Sequence, residues 1–161
     1  MSFLLADPSA LWYLSTRLHA RGHRRLARLI KGYNYLVFHA VLPPEARLAA
    51  PVVLGHLGLG VVVHPNVSLG KGVRLWHGVT LSVTDSLNSS SRLTIGDNVT
   101  FGAGCAVVSR EREGLTICSD VAIGANAVVT RDISEKGNYG GVPAVKLAKI
   151  ARRPDRPMSP A

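Results

Sequence analysis

Among the side chains of this 161-residue sequence, its six histidines are the ones best suited to carrying a proton near neutral pH. His19, His23 and His39 lie in a stretch of helical periodicity and read as surface or packing residues. His56, His64 and His77 lie where a strict repeat runs or breaks. His56 is bracketed by Gly55 and Gly58 at an interruption of that repeat, where a bulky ring has no core role and an exposed position is expected. It is the candidate general base. His77, in Trp76-His77-Gly78-Val79-Thr80, falls between the inward positions Leu75 and Val79 and is expected to face outward as a second candidate. These two rings can meet only at a corner of the fold or across a subunit boundary; His64 is expected at a corner. An imidazole so placed can take a proton from a hydroxyl or amine attacking an activated acyl group, then return it to a leaving thiolate. A thioester supplies that activation. No metal is expected, because a closed zinc site needs four ligands with supporting hydrogen bonds and the loops offer only scattered Asp and His. The sequence has no Gly-x-Ser-x-Gly elbow, His-Glu-x-x-His helix or Walker loop.

The elements that must position these residues follow from a six-residue period beginning at Leu42. Leu42, Leu48 and Leu54 form one series, then Val63, Leu69, Leu75 and Leu81, then Ile95, Phe101 and Val107, then Ile117, Ile123 and Val129. A second column holds Val61, Val67, Val73 and Val79, then Val99 and Cys105, then Val121, Ala127 and Ile133. Such a period matches short strands joined by tight corners, three to a triangular coil. Coils stack strand over strand about 4.8 Å apart, so each buries its aliphatics against the next. Gly follows the leading aliphatic in Leu69-Gly70, Ile95-Gly96 and Ile123-Gly124, and Asn66, Asn98 and Asn126 are expected at corners that favour positive φ. Residues 42 to 133 leave roughly four coils once the breaks are removed. The breaks lie between Leu54 and Val63, Leu81 and Ile95, and Val107 and Ile117. The second adds either two residues beyond two repeats or eight beyond one, and its polar run over residues 85–91 reads as a protruding loop. Extra loops on a regular rod are where sites are grafted.

In front of the repeat, Asp7-Pro8 opens a helix with Leu11, Leu14 and Leu18 at helical spacing, ending near Gly22. A second, carrying Leu26, Leu29, Ile30, Tyr33 and Val37, should reach about Phe38 before Pro43-Pro44. Both are expected to pack on the rest of the protein or on a partner subunit. The alternative is a membrane surface, with Trp12, Tyr33 and Tyr35 in the interface. The division is then 1–41 helical, 42–144 β-helix and 145–161 a basic tail. Apolar residues make up 47% and charged ones 18%, so the chain should fold. The net charge of +9 sits on the flanks, at Arg17, Arg21, Arg24, Arg25, Arg28 and Lys31 and again at Lys146, Lys149, Arg152, Arg153 and Arg156. With no nucleic-acid-binding signature beside it, a phosphate-rich small molecule is the better partner, near Lys146, Lys149 or Arg152. Cys105 and Cys118 form no Cys-x-x-Cys pair and no secretory signal is visible, which fits a reducing cytoplasm. No apolar run is long enough for a membrane span.

Leu54-Gly55-His56-Leu57-Gly58-Leu59-Gly60-Val61-Val62-Val63 resembles the catalytic-histidine segment of the hexapeptide-repeat acyltransferases, one residue longer than in serine acetyltransferases. Trp76-His77-Gly78-Val79-Thr80-Leu81 and Gly140-Gly141-Val142-Pro143-Ala144 resemble two further segments of that family, within which envelope-polysaccharide O-acetyltransferases are also similar. The resemblance implies a left-handed parallel β-helix, against the usual right-handed crossover rule. It implies homotrimers with acetyl-CoA between neighbouring β-helices, beside Gly102, Ala103, Gly124, Ala125, Gly141 and Pro143. His56 and His77 are then catalytic. Gly55 stands where the serine enzymes have Asp, and Arg92 falls near their second active-site histidine. Both departures favour a small hydroxyl compound or sugar hydroxyl as acceptor, held by Asp85 and Arg92, with serine second. The short helical segment favours a trimer over a hexamer. A noncatalytic scaffold is the remaining alternative.

Overall fold

The computed structural model describes residues 7–84, 91–109 and 114–148. Helix α1 (Pro8–Ala20) starts where expected: the Asp7 carboxylate accepts a hydrogen bond from the Ser9 N–H, and Pro8 occupies a first-turn position whose missing N–H costs nothing. Helix α2 (Arg24–Phe38) ends at His39 in the left-handed conformation. The two pack together as a hairpin against the start of the β-helix.

The buried face of α1 differs from the Leu11, Leu14, Leu18 stripe. It is Pro8, Ser9, Trp12, Ser15 and Thr16, and Leu14 is exposed. Trp12 brings the largest apolar surface on the helix together with an indole N–H that reaches the Pro43 carbonyl at 2.9 Å, while the Ser9 hydroxyl donates to the Val52 carbonyl. Those two anchors, rather than leucine spacing, set the rotation of α1. Trp12 is therefore a core residue and not an interfacial one.

The repeat region forms a left-handed parallel β-solenoid with three faces. One face stacks β1 (Arg47–Leu48), β4 (Val67–Leu69), β7 (Leu93–Ile95) and β10 (Leu115–Ile117). A second stacks β2 (Val53–Leu54), β5 (Arg74–Leu75), β8 (Thr100–Phe101), β11 (Val121–Ile123) and β13 (Gly137–Gly140), with β14 (Val145–Lys146) antiparallel on its rim. The third stacks β3 (Val62–Val63), β6 (Thr80–Val83), β9 (Ala106–Ser109) and β12 (Val128–Val129). Both sequence columns point inward and are buried, except Leu48 and Leu54 in the first coil, which are only partly buried.

Strand partners give the length of each coil. Val63 pairs with Leu81 eighteen residues on, a coil with no insertion. Leu48 pairs with Leu69, three residues longer; Leu69 with Ile95, eight longer; and Ile95 with Ile117, four longer. The second break thus holds one repeat and eight extra residues. The last coil is two short, and Ile133 bridges to Ile117 instead of continuing the Val121 and Ala127 column.

Corners need left-handed residues at stacked positions, and these are Gly72, Asn98 and Asp120 along one edge and Gly60, Gly78, Gly104 and Asn126 along another. Asn66 is not among them, whereas Asp120 is. Asp120 also accepts from the Asn98 amide at 3.1 Å, so the corner residues ladder between coils. Gly70, Gly96 and Gly102 are glycines for a different reason: a β-carbon there would strike the backbone of the coil above.

Candidate active site

The three extra residues of the first coil are taken up in an irregular turn over Gly55–Gly58, and this turn carries His56. His56 (φ 51°, ψ 42°) and Leu57 (φ 56°, ψ 21°) are both left-handed, which is costly for two successive residues with β-carbons. Gly58 and Gly60, also at positive φ, bring the chain back to the prism. Trp76, one coil along, fills the space over Gly55: a β-carbon on Gly55 would lie 2.5 Å from the indole Cε3. The indole meets the His56 ring edge to face at 5.4 Å, so Gly55, Trp76 and His56 are one packed unit.

His56 and His77 come together within a single chain, at the edge between the second and third faces. Their Nδ1 atoms are 2.8 Å apart and their ring centroids 4.8 Å apart. Such a contact needs one Nδ1 to carry the proton and the other to offer its lone pair. With both rings neutral, the donating ring has a bare Nε2 and the accepting ring carries Nε2–H. The pair therefore presents one base and one hydrogen-bond donor. Among the described residues the one ion pair joins Lys146 to Glu135 at 2.6 Å, so no carboxylate pairs with either imidazole. Each imidazole has the other ring, and not a carboxylate, as its side-chain hydrogen-bonding partner.

Strand register extends this edge upward. Leu54, Leu75, Phe101, Ile123 and Tyr139 are successive partners, so the next residues outward, Gly55, Trp76, Gly102, Gly124 and Gly140, form one line. The line after that is His56, His77, Ala103, Ala125 and Gly141. At about 4.8 Å per coil, His77 stands roughly 15 Å from Gly141. Two imidazoles thus sit at one end of an edge whose remaining residues are small, and the expected donor-site positions Gly102, Ala103, Gly124, Ala125 and Gly141 all lie on it. Pro143 and Lys146 line an open groove of about 260 Å³ at the far end, together with Arg131. Lys146 is already paired: its hydrogen bond to Glu135 raises the Lys146 ammonium and lowers the Glu135 carboxyl. Arg131, which sequence reasoning passed over, is an exposed cation on the same wall, directly before the shortened turn into Ile133.

Arg92 is not brought to the histidines within one chain. It lies between β6 and β7, at the edge joining the third and first faces, where its Nη1 reaches the Ser68 hydroxyl at 3.2 Å. Burial, and then the neighbouring Arg47 charge, lowers its guanidinium. It lines a groove of about 390 Å³ with Arg17, His19 and Glu45. Asp85 and Lys149 lie outside the described residues. His64 is a corner residue whose Nδ1 accepts from the Asn66 N–H at 3.1 Å, and burial lowers its imidazole. Among the described residues, no three His, Cys, Asp or Glu side chains cluster as metal ligands. Sequence spacing could not show the imidazole contact, because it depends on the left-handed turn that swings His56 toward His77.

No family model matches the chain. Whole-sequence comparison does find relatives. A serine acetyltransferase of Mycobacterium tuberculosis is 31% identical over 147 residues, which cover 91% of this chain and 59% of the relative. One of Helicobacter pylori strain J99 is 30% identical over 136 residues, covering 84% of this chain and 77% of the relative. Among solved structures, the serine acetyltransferase of Neisseria gonorrhoeae in complex with serine superposes with a TM-score of 0.73 at 30% identity, covering 86% of this chain and 54% of that one. This chain is thus well short of the full length of two of these three proteins. At 30% identity over 77% of the H. pylori enzyme, and with a shared fold, the chain belongs to the serine acetyltransferase family.

Proposed function

We propose that the chain is an acetyl-CoA-dependent O-acetyltransferase with His56 as general base and L-serine as its first acceptor. The observation that carries this reading is the Nδ1 to Nδ1 contact between His56 and His77, at the foot of an edge lined with small residues. Serine comes ahead of the sugar hydroxyl favoured from sequence because the relatives are serine acetyltransferases and one similar structure holds serine. A sugar acceptor remains the second reading. Gly55 offers no carboxylate to an amino acid's ammonium, and the half-exposed Trp76 indole gives a flat apolar surface beside the base.

Acetyl-CoA, as substrate, supplies the acyl group as a thioester. The small side chains from Ala103 to Gly141 leave room for its arm along the edge, and Arg131, with Lys146 if it leaves Glu135, is the cation assigned to its phosphates. His77 accepts the His56 Nδ1–H, which leaves His56 Nε2 bare. That nitrogen takes the acceptor hydroxyl proton as the oxygen bonds to the acetyl carbon and the carbon–sulfur bond breaks. The proton then passes to the thiolate sulfur, which restores the neutral pair. Backbone N–H groups are the candidate donors to the carbonyl oxygen. The proposed assembly is a homotrimer with the donor between neighbouring solenoids.

The test is thiol release from acetyl-CoA across serine, other hydroxy amino acids, free sugars and nucleotide sugars, with mass detection of product. Serine acetylation supports the proposal. Turnover of sugars alone moves the assignment to the second reading. Absence of turnover with every acceptor, in an assembled protein that binds CoA, favours the noncatalytic scaffold.

A further inference from the structure

Helix α2 presents three distinct sides. Ala27, Asn34 and Phe38 face the body of the protein and are buried. Arg24, Arg25, Arg28 and Lys31 occupy a second side. Leu26, Leu29, Tyr33, Leu36 and Val37 occupy the third, turned roughly 120° from the buried side at 100° per residue. All five are exposed in part, Leu29 and Leu36 most, at 70% and 74%, and Tyr33 and Val37 least, at 38% and 37%. Within one chain this stripe does not pack on the rest of the protein, which leaves a partner subunit or a membrane surface from the expected alternatives. On α1, Leu14 is likewise exposed. The charge on the hairpin is one-sided. From Pro8 to His39 it carries six Arg and Lys and not one Asp or Glu.

We propose that the α1–α2 hairpin docks on the surface of an anionic lipid bilayer, with the α2 stripe laid into the headgroup boundary and the cations meeting acidic headgroups. An amphipathic helix with a basic polar face and exposed leucines and tyrosines is the form that lies in a membrane interface. Charge decides the occupant. A second copy of this hairpin would bring six more positive charges against the first six, with no acid of its own to offset them. A nucleic acid would neutralise the cations and leave the leucines in water. An anionic bilayer satisfies both sides at once, since acidic headgroups attract Lys and Arg within a Debye length while the boundary below them takes apolar side chains. Among the described residues no helix is long and apolar enough to cross a membrane, so the hairpin lies on the surface. Because α1 also packs on the turn that carries His56, docking holds the histidine pair close to the lipid.

The experiment is sedimentation of the full chain with phosphatidylcholine vesicles, with and without about 30% phosphatidylglycerol, at low and high salt. Binding to the anionic vesicles should be at least roughly tenfold stronger, and high salt should remove most of that preference. Leu29→Glu with Leu36→Glu should abolish binding while leaving the light-scattering mass and the circular dichroism unchanged. Arg24→Gln, Arg25→Gln and Arg28→Gln together should weaken binding to anionic vesicles alone. Tyr33→Trp should shift its emission to the blue on anionic vesicles. Equal or absent binding of the folded wild type to the two vesicle types overturns the proposal. So does a glutamate variant that still binds, or one whose mass falls, which would make the stripe an interface between copies of this chain.

Discussion

His56 holds a left-handed backbone and a short contact to His77 at the same time, and each explains the other: the turn spends conformational energy to bring the two Nδ1 atoms to 2.8 Å. If His56 is the base, His56→Ala should lower kcat by roughly 10²-fold to 10⁴-fold and leave CoA affinity unchanged by calorimetry. Under the proposed mechanism His77 acts through His56, so its variants should separate by chemistry. His77→Gln keeps an acceptor for the His56 N–H and should retain more kcat than His77→Leu. An inactive His77→Ala beside a near-normal His56→Ala would exchange the two roles. Gly55→Ala must displace Trp76 and should cost about 1–3 kcal/mol in denaturant melts as well as loosening His56. Cys105 offers a check of a different kind. Burial pushes its thiol from an ordinary 9.0 up to about 12. The folded value lies above the unfolded one, so its contribution to stability is full below about pH 9 and is lost as pH climbs toward 12. At pH 8 a thiol reagent should count one thiol fewer in the native protein than in denaturant.

The elements were legible to different degrees, and for physical reasons. The two inward columns could be read directly because an outward slip exposes a whole face at once, and every residue in them from Val61 to Val129 is buried. The lengths of the insertions needed strand partners, since fourteen residues fit one repeat or two until Leu69 is seen against Ile95. Corner identity was half legible: Asn98 and Asn126 are left-handed, but Asp120 serves as well as Asn and the spacing did not single it out. Helix limits followed from Asp7-Pro8 and Pro43-Pro44, while the rotation of α1 depended on one indole N–H. Two substitutions probe these points. Gly102→Ala would put a β-carbon 2.5 Å from the Ala125 nitrogen, which is backbone and cannot swing aside, so a loss of about 1–3 kcal/mol is expected by thermal melting. Asn34 is fully buried in α2 with neither amide atom hydrogen-bonded, and Asn34→Leu should be neutral or stabilising by up to about 1–3 kcal/mol.

At the scale of the molecule, one chain carries its candidate groups on separate edges. The histidine pair lies between the second and third faces, and Arg92 between the third and first, on a prism whose core leaves no path between them. A three-fold ring of prisms offers a way to join them, because the edge of one copy can face a different edge of the next. Under the proposed trimer, Arg92 contributes to the acceptor site from a neighbouring subunit. This reading makes a prediction that no single-chain site shares. His56→Ala and Arg92→Ala should each be nearly inactive as pure proteins. When they are unfolded, mixed in equal amounts and refolded together, a copy with intact His56 will stand beside one with intact Arg92 at about a quarter of the interfaces in a randomly assembled ring. Activity should therefore return to about a quarter of the wild-type value, and the mass by light scattering should be that of three chains. If the mixture stays as inactive as its parents while forming mixed trimers, Arg92 and His56 do not share a site across the boundary, and Arg92 belongs to the groove it lines with Arg17 and Glu45.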